Sequence, residues 1–422
     1  MKLRFGLCPL LCIVIFAACK TLPGQKPTEA RREKSSQTFE EKSTETVLQN
    51  DASAETLRPK TEADEALQHN LTLLFAGDIM AHKPNYSMSD YSLIWKDIAP
   101  LALSCDFSFA NIEAPVDDSL PYSTYPRFNM HSEYPEASIS AGFNVFSLVN
   151  NHSNDQGLSG MIRTREWAEK TEGEYTGAER EVFFSGLKKS GGDAIGYKII
   201  KKNGWTIVFC AVTEVLNEKD HIEYMDYVPP TQAAREAFGN RIRHIRAEHP
   251  CDIFILSIHA NVPEYVRSVS PAQRSYYYKL LDCGADIIWA NHPHVVQERE
   301  FIGKKSERRF SKLILYANGN TISAQRYKPA FNAPSSPHEY TGDGLLYKVI
   351  YYKKEKGGIA ILHETKAHYI TTYITTAYQF VIKYLDDDFI SYLGNAGRRE
   401  WMRYIAARKI IMENTRVRKT WL

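Results

Sequence analysis

From Leu71 onward, short apolar runs alternate with helical stretches, and nearly every run ends in a cluster of Asp, Glu, Asn or His. The runs are "LTLLFAGD", "CDFSFANIEAP", "GFNVFSLVNNH", "WTIVFCAVTE", "CDIFILSIHA", "GADIIWANHPH" and "KLILYANGN". Apolar runs of this length, rich in β-branched and aromatic residues, read as buried strands. Between them, "SGMIRTREWAEKT", "TQAAREAFGNRIRHIRAE" and "PAQRSYYYKLLDCG" carry helical spacing. Strands that alternate with helices specify an α/β domain. In such a fold, ligands bind beyond the carboxyl ends of the strands. The clusters are Asp78, Asn111 with Glu113, Asn150-Asn151-His152, His259, His292 with His294, and Asn318 with Asn320, and this topology predicts that they converge.

The densest cluster is His292-Pro293-His294. Proline fixes its own φ and biases the preceding residue toward an extended conformation, so the pair is predicted to hold its two rings in a set relation. Each cluster alone has an ordinary structural reading: Asn150-Asn151 as turn residues, Glu113 as a surface carboxylate, His259 as a satisfied core histidine. Together they suit a binuclear centre of divalent ions such as Mn, Zn or Fe, because carboxylates and imidazoles are the ligands those ions accept and a carboxylate can bridge two of them. Asn151 would add a neutral amide oxygen. Two ions about 3.5–4 Å apart clamp a phosphoryl group and lower the pKa of a water between them. Ser and Cys nucleophiles are nearly absent from the clusters.

The N-terminus bounds the compartment. "MKLRFGLCPLLCIVIFAACK" places Lys2 and Arg4 before an apolar stretch too short to span a bilayer, then small residues and Cys19. Residues 1–18 are predicted to be a lipoprotein signal peptide, with Cys19 lipidated and the protein held on the outer side of a bacterial membrane. Ordinary cleavage that leaves Cys19 as a free thiol is the other reading. Residues 19–70 are rich in Lys, Glu, Thr, Ser, Gln and Ala and nearly lack aromatics, which predicts a flexible tether. The remaining Cys105, Cys210, Cys251 and Cys283 have no C-x-x-C spacing, so a zinc–thiolate site is not expected. A formal charge of +2, with no basic block interleaved with aromatics, argues against a nucleic-acid partner.

"FAGDIM", "ANIEAPV", "LVNNHSNDQG", "SIHANVPEY", "GADIIWANHPHVVQ" and "LYANGN" resemble, in order, the motifs of the poly-γ-glutamate capsule-biosynthesis proteins of the CapA type. That family looks like a branch of the calcineurin-like metallophosphoesterases. The resemblance covers about Leu71 to Lys348. It implies a four-layer αββα sandwich of two mixed sheets, with metals at the strand ends. It also implies that Asp78, Glu113, Asn151, His259, His292 and His294 are metal ligands, with Glu113 bridging. His152 then stands as the candidate general acid, oriented by Asp155. The superfamily's Asp-x-His reads Asp78-Ile79-Met80 here, with His82 two residues further on, so the first metal is expected to lack one imidazole. The rim motifs also differ: "HANVPEY" is one residue longer than usual and "ANHPH" stands for Gly-His-His-Pro-His.

The chain thus reads as a domain over 71–350 and an extension over 351–422 packed on it. The segment from Asp388 to Lys419 has helical spacing with a basic polar face, which suits either packing on the domain or rest on an anionic bilayer. Two functions follow. One is a membrane-anchored metallohydrolase that cleaves a phosphoester or amide bond. The other is a non-catalytic subunit that binds or assembles an anionic envelope polymer, alongside other capsule-synthesis proteins.

Overall fold

The computed structural model describes residues 55–56, 70–306, 309–354 and 358–421. The expected signal peptide, Cys19 and nearly all of the tether lie outside the described residues.

Two mixed sheets form the centre. Sheet one runs β1 (Glu55–Thr56), β14 (Ile361–Ile374), β13 (Asp343–Tyr352), β2 (Leu71–Ile79), β3 (Phe107–Ile112), β4 (Val145–Ser147) and β5 (Phe183–Ser185). β12 (Asn320–Ile322) lies beside β2, and β15 (Phe380–Tyr384) beside β14. β2 to β5 are parallel, and β13 is antiparallel to both its neighbours. Sheet two runs β16 (Val417–Trp421), β10 (Arg299–Lys304), β11 (Arg309–Leu315), β9 (Ile287–Asn291), β8 (Ile253–His259), β7 (Trp205–Thr213) and β6 (Lys198–Lys202). Its β7, β8, β9 and β11 are parallel.

Period-two alternation stacks the layers. On β2, Leu71, Leu73 and Phe75 face the core between the sheets, while Leu74 and Ala76 face an outer core. On β7, Ile207, Phe209 and Ala211 point inward and Val208, Cys210 and Val212 outward. The sheets meet through Phe75, Phe109, Phe209 and Trp289, whose ring centroids lie 4.7–6.1 Å apart in their contacting pairs. The Trp289 indole donates across the gap to the Ala76 carbonyl at 2.7 Å. Helix Gly157–Tyr175 and the short helices near Trp95 and Tyr134 cover sheet one. Helices Gln232–Glu248 and Pro271–Cys283 cover sheet two, their first turns capped by Thr231 and Ser270. The result is the expected αββα sandwich.

The C-terminal segment is not one long helix. It forms helices Asp387–Asn395 and Arg399–Glu413, separated at Gly397, whose φ is +70°. Val417–Trp421 then leaves helical geometry and pairs in parallel with β10 as an edge strand of sheet two. Its β-branched and aromatic residues suit that edge. Nor is the basic face of the second helix simply solvated, because Arg408 is buried. No helix among the described residues is long and apolar enough to cross a membrane.

Candidate metal centre

Six polar side chains meet where the carboxyl ends of both sheets come together. Asp78 lies near the end of β2, Glu113 just past β3 and Asn151 in the turn after β4. His259 closes β8, and His292 and His294 follow β9. Gly77 permits the approach on one side: a Cβ there would sit 1.8 Å from the Gly319 carbonyl oxygen. That contact brings Asp78 level with Asn320 on β12.

Around one position, His259 Nε2 stands 2.8 Å from Asn151 Oδ1, 3.2 Å from His292 Nδ1 and 3.5 Å from Glu113 Oε1. Donors about 2.1 Å from a tetrahedral ion are about 3.4 Å apart, so these four atoms fit one cation. Around a second position, His294 lies 3.4 Å from Asp78 Oδ2 through Nδ1 and 3.7 Å from Glu113 Oε1 through Nε2. In each group, the ligand atoms of the carboxylates and imidazoles all fall within 4.8 Å of one another, and Glu113 belongs to both.

Glu113 is 0% exposed, and neither of its carboxylate oxygens has a hydrogen-bond partner. Asp78 Oδ2 is likewise buried and unpartnered. Burial, then the Asp78 carboxylate, pushes the Glu113 pKa well above its usual range. A buried carboxylate with no donor is costly, and a divalent cation supplies what it lacks. Two of the three imidazoles are held in the neutral state a ligand needs. Burial, then the neighbouring histidines, pushes His292 down to about 3 and His259 well below its usual value. At His294 burial opposes the charge, but the Asp78 carboxylate outweighs it and the pKa rises.

Neighbouring amides orient the ligands. Asn320 Nδ2 donates to the Thr341 carbonyl, Ser323 Oγ and Gln325 Oε1, so its oxygen faces His294 Nδ1 at 3.0 Å. That places a proton on His294 Nδ1 and leaves Nε2 as the nitrogen that could meet a cation. Asn111 Nδ2 holds Asp78 Oδ1 at 2.8 Å. Asn217 Oδ1 accepts from Asn151 Nδ2 at 3.3 Å, which turns the Asn151 oxygen toward His259. The site role of Asn217 had no sequence signal: it lies in a loop with no motif around it. Asn111 and Asn320 were visible as strand-end polar residues, but not as supports.

His152 stands beside the centre. Its Nδ1 is 2.7 Å from Asp155 Oδ2, an oxygen that also accepts the Phe128 N–H at 2.7 Å. The ring packs edge-on against Phe128. Nδ1 therefore carries its proton toward Asp155, and Nε2 is the atom left for chemistry.

The His-Pro-His turn differs from expectation. His292 is not extended; its φ is +106°, and His294 has φ +56°. Non-glycine residues rarely hold such angles, and strain of this kind is kept where surrounding structure fixes a functional geometry. The following loop adds to it, since the Tyr265 N–H donates to the Pro293 carbonyl at 2.8 Å and Tyr265 itself has φ +62°. Asn261, Glu264 and Tyr265 form an exposed rim, with the Tyr265 ring centroid 6.2 Å from that of His294. Cys105, Cys210 and Cys283 are buried and free, while the free Cys251 is only half-buried, against Arg246.

A family model described as "Bacterial capsule synthesis protein PGA_cap" matches residues 72–325. The capsule biosynthesis protein CapA of Bacillus anthracis is 26% identical over 285 residues, 63% of this chain and 64% of that protein. The PGA biosynthesis protein CapA of Bacillus subtilis (strain 168) is 26% identical over 280 residues, 64% of this chain and 67% of that protein. The chain thus spans about two thirds of the length of these relatives. Among solved structures, the calcineurin-like phosphoesterase YfkN from Bacillus subtilis matches at 14% identity and a TM-score of 0.37, over 80% of this chain and 99% of that one.

Proposed function

Because the chain belongs to the bacterial capsule synthesis protein family, we propose that it is a two-metal hydrolase acting on an anionic polymer of the cell envelope. The reaction is cleavage of a phosphoester or, given the polymer in the name of the Bacillus subtilis relative, an amide bond. The observation that carries this reading is Glu113, a fully buried carboxylate without a donor, shared between two ligand groups.

Asn151, His259, His292 and Glu113 would hold one ion, and Asp78, Glu113 and His294 the other; Mn, Zn and Fe all suit these donors. When bound, such a pair polarises the substrate oxygen and lowers the pKa of a water between them. As an imidazolium, His152 gives its Nε2 proton to the leaving group, while Asp155 accepts the Nδ1–H that the ring retains and so fixes its orientation. The exposed rim of Asn261, Glu264 and Tyr265 meets the polymer. Cys19, once lipidated, keeps the domain at the membrane surface, near other capsule-synthesis proteins.

The test is His152→Ala on purified, metal-loaded protein. Metal content should stay at the wild-type level, and turnover of a model phosphodiester or a γ-glutamyl chain should fall by about 10²–10⁴-fold. Undiminished turnover at full metal content would remove the assigned role. One feature favours the non-catalytic alternative: Met80 packs into the outer core at 1% exposure, so the second group stays at three ligand residues. Wild-type protein that binds metal and polymer but cleaves neither substrate would establish that alternative.

A further inference from the structure

His82 occupies the neighbourhood in which the superfamily pattern expects an imidazole, four residues after Asp78 and just before the short helix Lys83–Tyr86. Its Nδ1 accepts the Ala324 N–H at 3.3 Å, and its own main-chain N–H donates to Asn85 Oδ1 at 3.2 Å. The ring packs edge-on against Phe128 at 5.2 Å, and Phe128 packs edge-on against His152 at 4.8 Å. His82 therefore shares a wall with the proton-donating dyad. Burial, then the nearby His294 and His152, pushes its pKa down to about 3, so the ring is neutral.

A neutral imidazole has one proton. Nδ1 accepts a main-chain N–H and cannot carry it, so the proton is on Nε2. A protonated nitrogen cannot coordinate a cation, and His82 is absent from both ligand groups. No acceptor pairs with Nε2–H among the described residues. A donor of this kind, fixed in place beside a reacting group, stabilises charge that develops on an oxygen.

The geometry points to His82 as a hydrogen-bond donor, through Nε2–H, to an oxygen of a bound phosphoryl group, and not as a substitute ligand for either metal. The assignment rests on the hydrolase reading only for the reaction it would serve. Its tautomer and its anion can both be measured without turnover.

Four measurements on the full chain test it, with His82→Ala and His82→Gln as the variants, the latter keeping an amide N–H on a side chain of similar reach. First, ¹⁵N-histidine NMR of the chelated protein, with the His82 signal assigned by its loss in His82→Gln, should show the proton on Nε2; a proton on Nδ1 overturns the assignment. Second, the manganese content of the loaded protein should be equal in all three, and a loss in His82→Ala would make His82 a ligand. Third, inorganic phosphate should bind the manganese-loaded His82→Ala protein about 10- to 100-fold more weakly, the worth of one hydrogen bond to a charged group. His82→Gln should recover most of that loss, and unchanged phosphate affinity in His82→Ala sinks the proposal. On a model phosphodiester, His82→Ala should lower kcat/KM by about 10²–10³-fold with partial rescue by glutamine. If wild type cleaves no substrate, the hydrolase reading fails, and the NMR and phosphate results still decide the role of His82.

Discussion

Glu113 and Asp343 are both carboxylates at 0% exposure, and the protein treats them in opposite ways. Asp343 is saturated. Arg326 Nη1 donates to it at 2.9 Å, Arg408 Nε at 2.6 Å, and the Thr371 hydroxyl at 2.7 Å. Arg326 goes on to the Tyr404 hydroxyl, which in turn donates to the buried Glu339. Every charge there has a partner from another element, so the cluster ties β13, β14 and helix Arg399–Glu413 together. Glu113 sits among imidazoles and a second carboxylate, and neither of its own oxygens has a hydrogen-bond partner. Folding alone gives no reason to keep such a residue. The contrast separates a charge that holds the protein together from a carboxylate that could take a cation.

The sharpest way to break the comparison is Glu113→Gln. Both metal positions should empty together and turnover should fall to background, because one carboxylate serves both. Melting in excess chelator should be no lower than wild type, since a neutral amide replaces a buried carboxyl group whose oxygens have no hydrogen-bond partner. Elemental analysis and thermal unfolding check the two halves, and retention of one full metal equivalent would show that Glu113 does not bridge.

Asp343→Asn should do the reverse. It leaves Arg326 and Arg408 buried beside an uncharged group, a defect of about 3–5 kcal/mol. The melting temperature should drop in chelator as well as in metal, while the folded fraction keeps its metal content. Wild-type stability in this variant would refute the structural role.

Asp226 lies between the two extremes and gives the smallest effect. It is buried, with the Gly196 N–H at 3.1 Å and Lys188 only at 3.9 Å. Burial, partly offset by Lys188, pushes its pKa up to about 7. The raised value means that the folded state favours the protonated form: that contribution is complete below about pH 4 and is lost as pH rises through about 7. Asp226→Asn should therefore flatten the fall in melting temperature between pH 4 and 8 by a few degrees, measured in chelator so that metal binding does not contribute. An identical pH profile in the two proteins would count against the raised value.

The strand ends were legible because burial and chemistry use different residue types. A β-branched run that stops at Asp78, His259 or His292 marks both a strand and the place where the strand meets solvent or ligand. The candidate ligands follow from those boundaries. The supports do not, because Asn217 and Ala324 act from loops and Asn320 from a three-residue strand, through hydrogen bonds that leave no periodicity to read. The His-Pro-His backbone was misread for a related reason. Local preference favours an extended His292, and the packing of its ring against His259 and of the adjoining loop overrides it. Arg408 escaped for a third reason: a basic helix face looks the same in sequence whether water or a buried aspartate lies opposite.

The placement of β13 has a consequence for how the family should be cut. The region shared with the family model stops at Gln325, the residue before Arg326. Yet β13 lies between β2 and β14, and its pairing with β2 runs from Tyr347 opposite Phe75 to Tyr351 opposite Leu71. A fragment that stops at Gln325 would leave the strand bearing Asp78 with an open, apolar edge. The unit that inheritance marks is therefore smaller than the unit that can fold. The residues after Gln325 make up the difference by supplying β13, the strand that closes that edge.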